Sequence, residues 1–223
     1  MGFCPKTEYY WKGLVYYLAT WKDRFDPSII DFFPSLGIDE VGRGALAGPL
    51  VVGAVYFDKD CEIDGLKDSK LLGDVERRKL CEIIKRKASY WSIGWAYHWE
   101  IDKLNIYSAL VLACKRSILN LNFFPNTIFF DGSLKLKTFP LKHIVFPKAD
   151  NLVPSVAAAS IIAKVARDDY MINIARFYPD YHFDLHKGYG TKSHIEILKK
   201  IGLSKIHRKT FCKFLNKQRS LFE

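Results

Sequence analysis

Cysteine is scarce in this chain and badly placed for cross-linking. The five residues Cys4, Cys61, Cys81, Cys114 and Cys212 are odd in number, and none is spaced as C-x-x-C. That argues against a disulfide framework or a cysteine-based zinc site and for reduced, mostly buried thiols in a cytoplasmic protein. Long apolar runs are missing as well. No stretch approaches the ~20 apolar residues that a membrane span needs. Near the N-terminus, Leu14 to Trp21 is short and closely flanked by charge, which is not the form of a signal peptide. No membrane partner is expected. Internal repeats and low-complexity tracts are absent too. Acidic charge is the last shortage: 24 Asp and Glu against 34 Lys and Arg leave a formal charge of +10.

What is present suits a packed enzyme-sized domain. Hydrophobic residues make up 49% and aromatics 15% of the 223 residues, enough for one core and too many for disorder. The basic excess suggests a polyanionic partner, nucleic acid above all; a merely lysine-rich protein is the plainer reading of the charge alone. The excess is concentrated, with ten Lys or Arg against two acids from His186 to Glu223.

Along the chain, residues 1–35 read as an aromatic-rich N-terminal extension, with packing a better use for its rings than base stacking. Leu36 to Asp39 and Leu50 to Phe57 read as strands, and Gly65 to Gly73 as a loop. Asp74 is placed to cap a helix running to about Lys87, with Leu80, Ile83 and Ile84 inward. Tyr90 to Tyr97 reads as a third strand. The apolar period of Leu104, Tyr107, Val111, Cys114, Ile118 and Leu121 predicts one long helix over Glu100 to Leu121. Thr127 to Asp131 and Leu141 to Phe146 read as strands. Pro154 opens a helix over Ser155 to Phe177, whose small residues allow close approach to a sheet, and Pro179 ends it. A glycine turn and a basic helical segment, about residues 186–223, complete the chain. The order predicts an α/β fold with mixed strand directions.

The stretch that carries chemistry is Gly37 to Pro49, GIDEVGRGALAGP. Asp39 and Glu40 stand beside Gly42-Arg43-Gly44, a turn with little to obscure its backbone. Asp131 and Asp150 also fall at or just beyond strand ends, where open α/β sheets place their ligands. Four carboxylates gathered there repel one another, and a hard divalent cation with oxygen ligands relieves that. With a basic chain, a phosphodiester is the natural substrate. Each acid has a plainer reading. Asp39 and Glu40 suit turn polar groups, Asp131-Gly132 a simple turn, and Asp150 a cap for the helix after Pro154. Asp168 and Asp169 compete with Asp150 for the fourth place, but mid-helix beside Lys164 and Arg167 their default is surface ion pairing. Neighbours on a regular strand face opposite sides, so Asp39 and Glu40 share an ion only if the strand ends early or bulges, or if one uses its carbonyl. His186, His194 and His207 match no zinc spacing and suit structural or phosphate roles.

The chain resembles ribonuclease HII, the type-2 ribonuclease H of bacteria. The resemblance is carried by GIDEVGRGALAGPLVVGAV, LKDSKLL, DKLNIYSALVLACKRSI, FFDGS, KADNLVPSVAAASIIAKVARDDYM, YPDYHFDLHKGYGTKSH and GLSKIHRKTF, which span most of Leu36 to Phe211 in order. Arg43 resembles type HII, whereas the sister type HIII carries lysine there and a larger N-terminal domain. The resemblance implies a ribonuclease H-like fold with a mixed five-stranded sheet over residues 36–223. It also implies Mg²⁺- or Mn²⁺-dependent hydrolysis on the 5′ side of a ribonucleotide in duplex DNA or within an RNA–DNA hybrid, leaving 3′-hydroxyl and 5′-phosphate ends. The catalytic set falls on Asp39, Glu40, Asp131 and Asp150, with the first three on metal; where the family usually has glycine before the last acid, this chain has Ala149. Only the 2′-hydroxyl marks a ribonucleotide. Gly42, Arg43 and Gly44 are suited to reading it, Tyr189 resembles the family's tyrosine at the ribo–deoxyribo junction, and Ser69 and Lys70 suit a phosphate. The expected partners are RNA–DNA hybrid and ribonucleotide-containing duplex DNA, with the chain acting as a monomer. A type-1 hybrid nuclease and a non-catalytic nucleic-acid-binding module are the alternatives. A lone embedded ribonucleotide separates the first, because a type-1 enzyme needs a ribonucleotide run; a metal-dependent product separates the second.

Overall fold

The computed structural model describes residues 33–59, 63–66, 72–121, 123, 125–131, 141 and 143–215. Ser69 and Lys70, Gly132, most of the expected N-terminal extension and the last eight residues lie outside them. The described residues belong to one compact unit that begins at Phe33.

Five strands form the sheet: β1 (Ser35–Val41), β2 (Leu50–Phe57), β3 (Tyr90–Ala96), β4 (Ile128–Asp131) and β5 (Ile144–Phe146). Their spatial order is β3-β2-β1-β4-β5. The pairs β1–β2 and β2–β3 are antiparallel, while β1–β4 and β4–β5 are parallel. The mixed directions expected from the element order are therefore present. β1 starts at Ser35, inside the stretch expected to be extension, and the buried Ser35 hydroxyl meets that of Ser155 at 3.0 Å.

The helices are α1 (Asp74–Lys87), α2 (His98–Leu104), α3 (Ile106–Leu119), α4 (Pro154–Ala175), α5 (Phe183–His186) and α6 (Lys192–Ile201). Strand alternation sorts the core into two layers. Leu36, Ile38, Val52, Ala54 and Phe130 pack with Cys114 and Ile118 of α3 on one face of the sheet. Val55 and Phe57 pack with Leu80 and Ile84 of α1 and with Ala158 and Ile162 of α4 on the other. Gly37 faces α4 so closely that a Cβ there would stand 2.0 Å from the backbone of Ser155.

Two expectations need correction. Asp74 does not cap α1; Gly73 holds the cap position, and Asp74 instead pairs with Arg78 at 2.9 Å. The predicted single helix over Glu100 to Leu121 is broken at Asn105, whose φ of 71° no helix accommodates. Asn105 Oδ1 accepts from the N–H groups of Tyr107 and Ser108 at 3.0 and 3.1 Å, which starts α3 afresh. The apolar spacing continues across the break, so periodicity alone reads through it.

Asn105→Ala removes this cap and keeps a strained φ, and should lower stability by about 1–2 kcal/mol. Asn105→Gly loses the cap but relieves the strain, so it should lose less. Urea unfolding of the two variants checks the order; equal losses would mean that the positive φ contributes nothing.

Candidate active site

The sheet pairing brings two of the four acids side by side. β1 and β4 run parallel with Leu36 beside Ile128, Gly37 beside Phe129 and Ile38 beside Phe130. One further step in that register sets Asp39 beside Asp131, on strands about 4.8 Å apart. Leu36, Ile38, Ile128 and Phe130 belong to the α3 layer, so alternation turns Asp39 and Asp131 toward the α4 face. Asp150 comes from the 3-10 turn Ala149–Asn151 that follows β5. That turn is tied to β4, because the Ala149 N–H donates to Asp131 Oδ1 at 2.8 Å. Lys148 enters the turn at φ 60°, and Ala149, for all its Cβ, is fully buried. Val153 holds the N-cap position of α4, and its side chain makes no capping bond.

Glu40 is placed differently. β1 does not end early: Glu40 pairs with Val52 and Val41 with Val51 in an unbroken ladder. Glu40 therefore points to the α3 face, where its charge helps push up the thiol of the buried Cys114. Its Oε1 lies 3.8 Å from Arg43 Nη1. Even so, Asp39 and Glu40 both line one cleft of about 270 Å³, with Arg77 of α1 and Ser160 and Lys164 of α4.

The electrostatics follow from the crowding. Burial raises the Asp39 carboxyl well above its usual range; Glu40, Asp131 and Asp150 raise it further, against a 2.7 Å bond from the Glu40 N–H. Burial also raises Glu40; Asp131 adds to the rise and Arg43 opposes it. Asp39 and Asp131 each accept from a backbone N–H, and no three His, Cys, Asp or Glu side chains among the described residues stand together as a ready ligand group for an ion. Asp168 and Asp169 are elsewhere engaged, with Lys164 at 2.9 Å and with Arg78 at 2.5 Å. The Asp168 pair is not the surface pair expected, since Asp168 is buried.

Beyond Val41 the chain turns through Gly42, at φ 88°. Arg43 and Gly44 are exposed. A Cβ on Gly42 would stand 2.1 Å from Nε of Arg167. The sequence places Arg167 on the surface; in the fold it is fully buried. Its Nε donates to Pro49 O at 2.9 Å and Nη2 to Ala47 O at 3.2 Å. Arg208, also fully buried, donates to Gly48 O and Arg43 O, both at 3.0 Å. These two arginines are the residues that sequence reasoning missed. A signal existed for Arg167: Ala159, Ala163 and Met171, at four-residue spacing along the same helix, are all buried. Arg208 has no comparable signal.

Tyr189 is half-buried, its ring 4.9 Å from the Arg167 guanidinium. Its loop is joined to the glycine hairpin by Gly188 O, which accepts from the N–H groups of Leu46 and Ala47. Behind it lie the three histidines. His194 Nδ1 donates to Tyr189 O at 2.9 Å, so its Nε2 is an acceptor. His207 accepts at Nδ1 from the Ser204 N–H, so its Nε2 donates to His194 Nε2 at 3.0 Å. His186 Nε2 donates to Tyr181 O and Nδ1 accepts from the Gly188 N–H. Every ring is neutral with one tautomer. Burial lowers His194 and His207 to about 4.

Two predictions follow from these charges. An unfolded chain binds protons at His194 and His207 near pH 6.5, while the folded one does so only near pH 4. Stability from these groups is thus present above pH 6.5 and lost as pH falls toward 4. Urea midpoints measured from pH 7 to pH 4.5 should fall, and a His194→Gln, His207→Gln variant should show a shallower slope; an unchanged slope would contradict the neutral network. Asp39 has the opposite sign, since its raised carboxyl disfavours the charged folded state as pH rises. Asp39→Asn keeps the acceptor and removes the charge. Without divalent ions it should raise the melting temperature by a few degrees, the shift that ~1 kcal/mol produces at this size; a lower melting temperature would contradict the repulsion.

The chain is similar to known proteins in sequence and in fold. The family model for ribonuclease HII matches residues 36–214. The ribonuclease HII of Nitrosococcus oceani is 45% identical over 176 residues, covering 78% of this chain and 87% of that one. The crystal structure of ribonuclease H2 from Pyrococcus horikoshii superposes with a TM-score of 0.68 at 26% identity, covering 82% of this chain and 97% of that one. Bst ribonuclease HIII, solved in complex with Mn²⁺, has a TM-score of 0.72 at 22% identity, covering 87% of this chain and 72% of its own, and shares the fold. With its mixed sheet, flanking helices and matched residues 36–214, the chain belongs to the ribonuclease HII family of endoribonucleases.

Proposed function

We propose that the chain hydrolyses the phosphodiester on the 5′ side of a ribonucleotide, in duplex DNA or within an RNA–DNA hybrid, leaving 3′-hydroxyl and 5′-phosphate ends. The working ion is Mg²⁺ or Mn²⁺. The observation that carries this reading is the register that sets Asp39 beside Asp131 on one face, next to the turn bearing Asp150 and the glycine hairpin.

The donor set suits a hard divalent cation: oxygen ligands only, with burial and then neighbouring carboxylates raising Asp39 and Glu40 above their usual range. Asp39 and Asp131 would hold metal from one face of the sheet, Glu40 would join them through its carbonyl because the ladder continues past it, and Asp150 would complete the site. When bound, such an ion makes water a better nucleophile and neutralises charge on the leaving oxygen. The chain's own residues supply the rest. The exposed Arg43 and Gly44, with the buried Gly42 turning the chain behind them, meet the 2′-hydroxyl and its neighbouring phosphate. Tyr189 offers a flat apolar face to the next sugar. Arg77 and Lys164, on the cleft wall, draw in the nucleic-acid backbone, and Ser69 and Lys70 serve a phosphate. The catalytic unit is residues 36–223, working as a monomer in the cytoplasm.

Asp131→Asn retains the acceptor for the Ala149 N–H and removes the charge. It should fold normally and cut a duplex containing one ribonucleotide at least about 10²–10³-fold more slowly. Chelator should abolish cutting by the unmodified protein. Full activity in the variant, checked for folding by circular dichroism, would contradict the role of Asp131.

A further inference from the structure

Arg167 is an unusual group to find under the glycine hairpin. It is fully buried, and it forms no ion pair with a carboxylate among the described residues. Burial lowers its guanidinium, with Tyr189 and Asp168 opposing the shift, and a second cation lies nearby: burial first and Arg167 next hold Arg208 down to about 9. A buried cation beside a second one is costly unless its geometry supplies something a neutral donor cannot. The contacts show what that is. In the plane of the guanidinium, two N–H groups hold the carbonyls of Ala47 and Pro49, at the far side of the hairpin. One face of the group lies against the Tyr189 ring. Its Nε fills the space that a side chain on Gly42 would need. One rigid plane therefore touches the hairpin at both ends and the tyrosine loop on its face.

We propose that Arg167 is a positioning residue that sets the spacing between the Gly42-Arg43-Gly44 hairpin and Tyr189, and thereby the preference for a ribose followed by a deoxyribose. The inference rests on the functional reading above. Arg167 touches no substrate; it acts through the two elements that do. On a continuous hybrid the sugar at Tyr189 is itself a ribose, and many registers along the strand are equivalent. On a duplex with one ribonucleotide a single register satisfies hairpin and ring together, so an error in their spacing weighs more heavily there.

The test compares kcat/KM on two substrates of one sequence, a duplex with a single ribonucleotide and a continuous RNA–DNA hybrid. Arg167→Lys keeps a donor for Pro49 O but has no planar face. Activity should fall on both substrates and at least tenfold further on the single-ribonucleotide duplex. Tyr189→Ala should show the same selective loss, and the double variant should add little to it. Parallel losses on the two substrates, or additive selective losses, overturn the inference. If the unmodified protein cuts neither substrate, the functional reading fails and this inference with it; if it cuts both and Arg167→Lys keeps their ratio, this inference alone fails. Should Arg167→Lys not fold, the unmodified protein answers the question. With Ca²⁺ in place of the working ion, the Arg167 Nε–H resonance should shift on adding the single-ribonucleotide duplex and stay in place with an all-DNA duplex. The same response to both overturns the proposal.

Discussion

The close seating of α4 on β1 is the constraint on which the rest depends. With no side chain at Gly37, the first turn of α4 presses on the strand that carries Asp39. A helix rises 1.5 Å per residue, so once Ser155 is fixed the later positions are fixed with it. Ser160 and Lys164 reach the cleft beside Asp39, and Arg167 reaches the hairpin just beyond it. A bulkier residue at position 37 would displace every one of them together.

Much of this arrangement was legible in the chain itself, and the failures have physical causes. Acids directly after apolar strand residues located Asp39, Asp131 and the turn of Asp150, because parallel strands deliver their ends to one edge. The element order anticipated mixed strand directions. The break at Asn105 escaped notice because α2 and α3 keep a shared apolar spacing across it, and a positive φ at a non-glycine residue leaves no mark in composition. For Glu40 the sequence leaves an early strand end, a bulge or a carbonyl contact open, and the antiparallel ladder with β2 carries β1 past it without a break. Arg167 and Arg208 were hidden by residue type: a charged side chain is read as surface by default, and the backbone carbonyls that hold these two come from a loop distant in sequence.

The two halves of the site carry opposite charge problems. At the sheet edge, burial and then neighbouring carboxylates raise Asp39 well above its usual range. Beneath the hairpin, two guanidinium groups lie buried near each other and are held by carbonyls rather than by acids. Neither arrangement is what stability alone selects. Each keeps a charge where the proposed chemistry uses it, the first for a cation and the second for the shape of the sugar-reading loop. The histidine cluster behind Tyr189 is the neutral counterpart, since every ring nitrogen is assigned and its burial favours the uncharged form.

The parallel pairing of β1 with β4 has a further effect on how the chain matures. Side chains alternate along a strand, so a slip of β4 by a single residue would carry Asp131 through the sheet and present Phe130 in its stead. No half-competent isomer lies between the two alignments. If Asp131 has the role proposed for it, cutting switches on only when this one pairing has closed correctly, and its appearance during refolding is a stopwatch for the pairing.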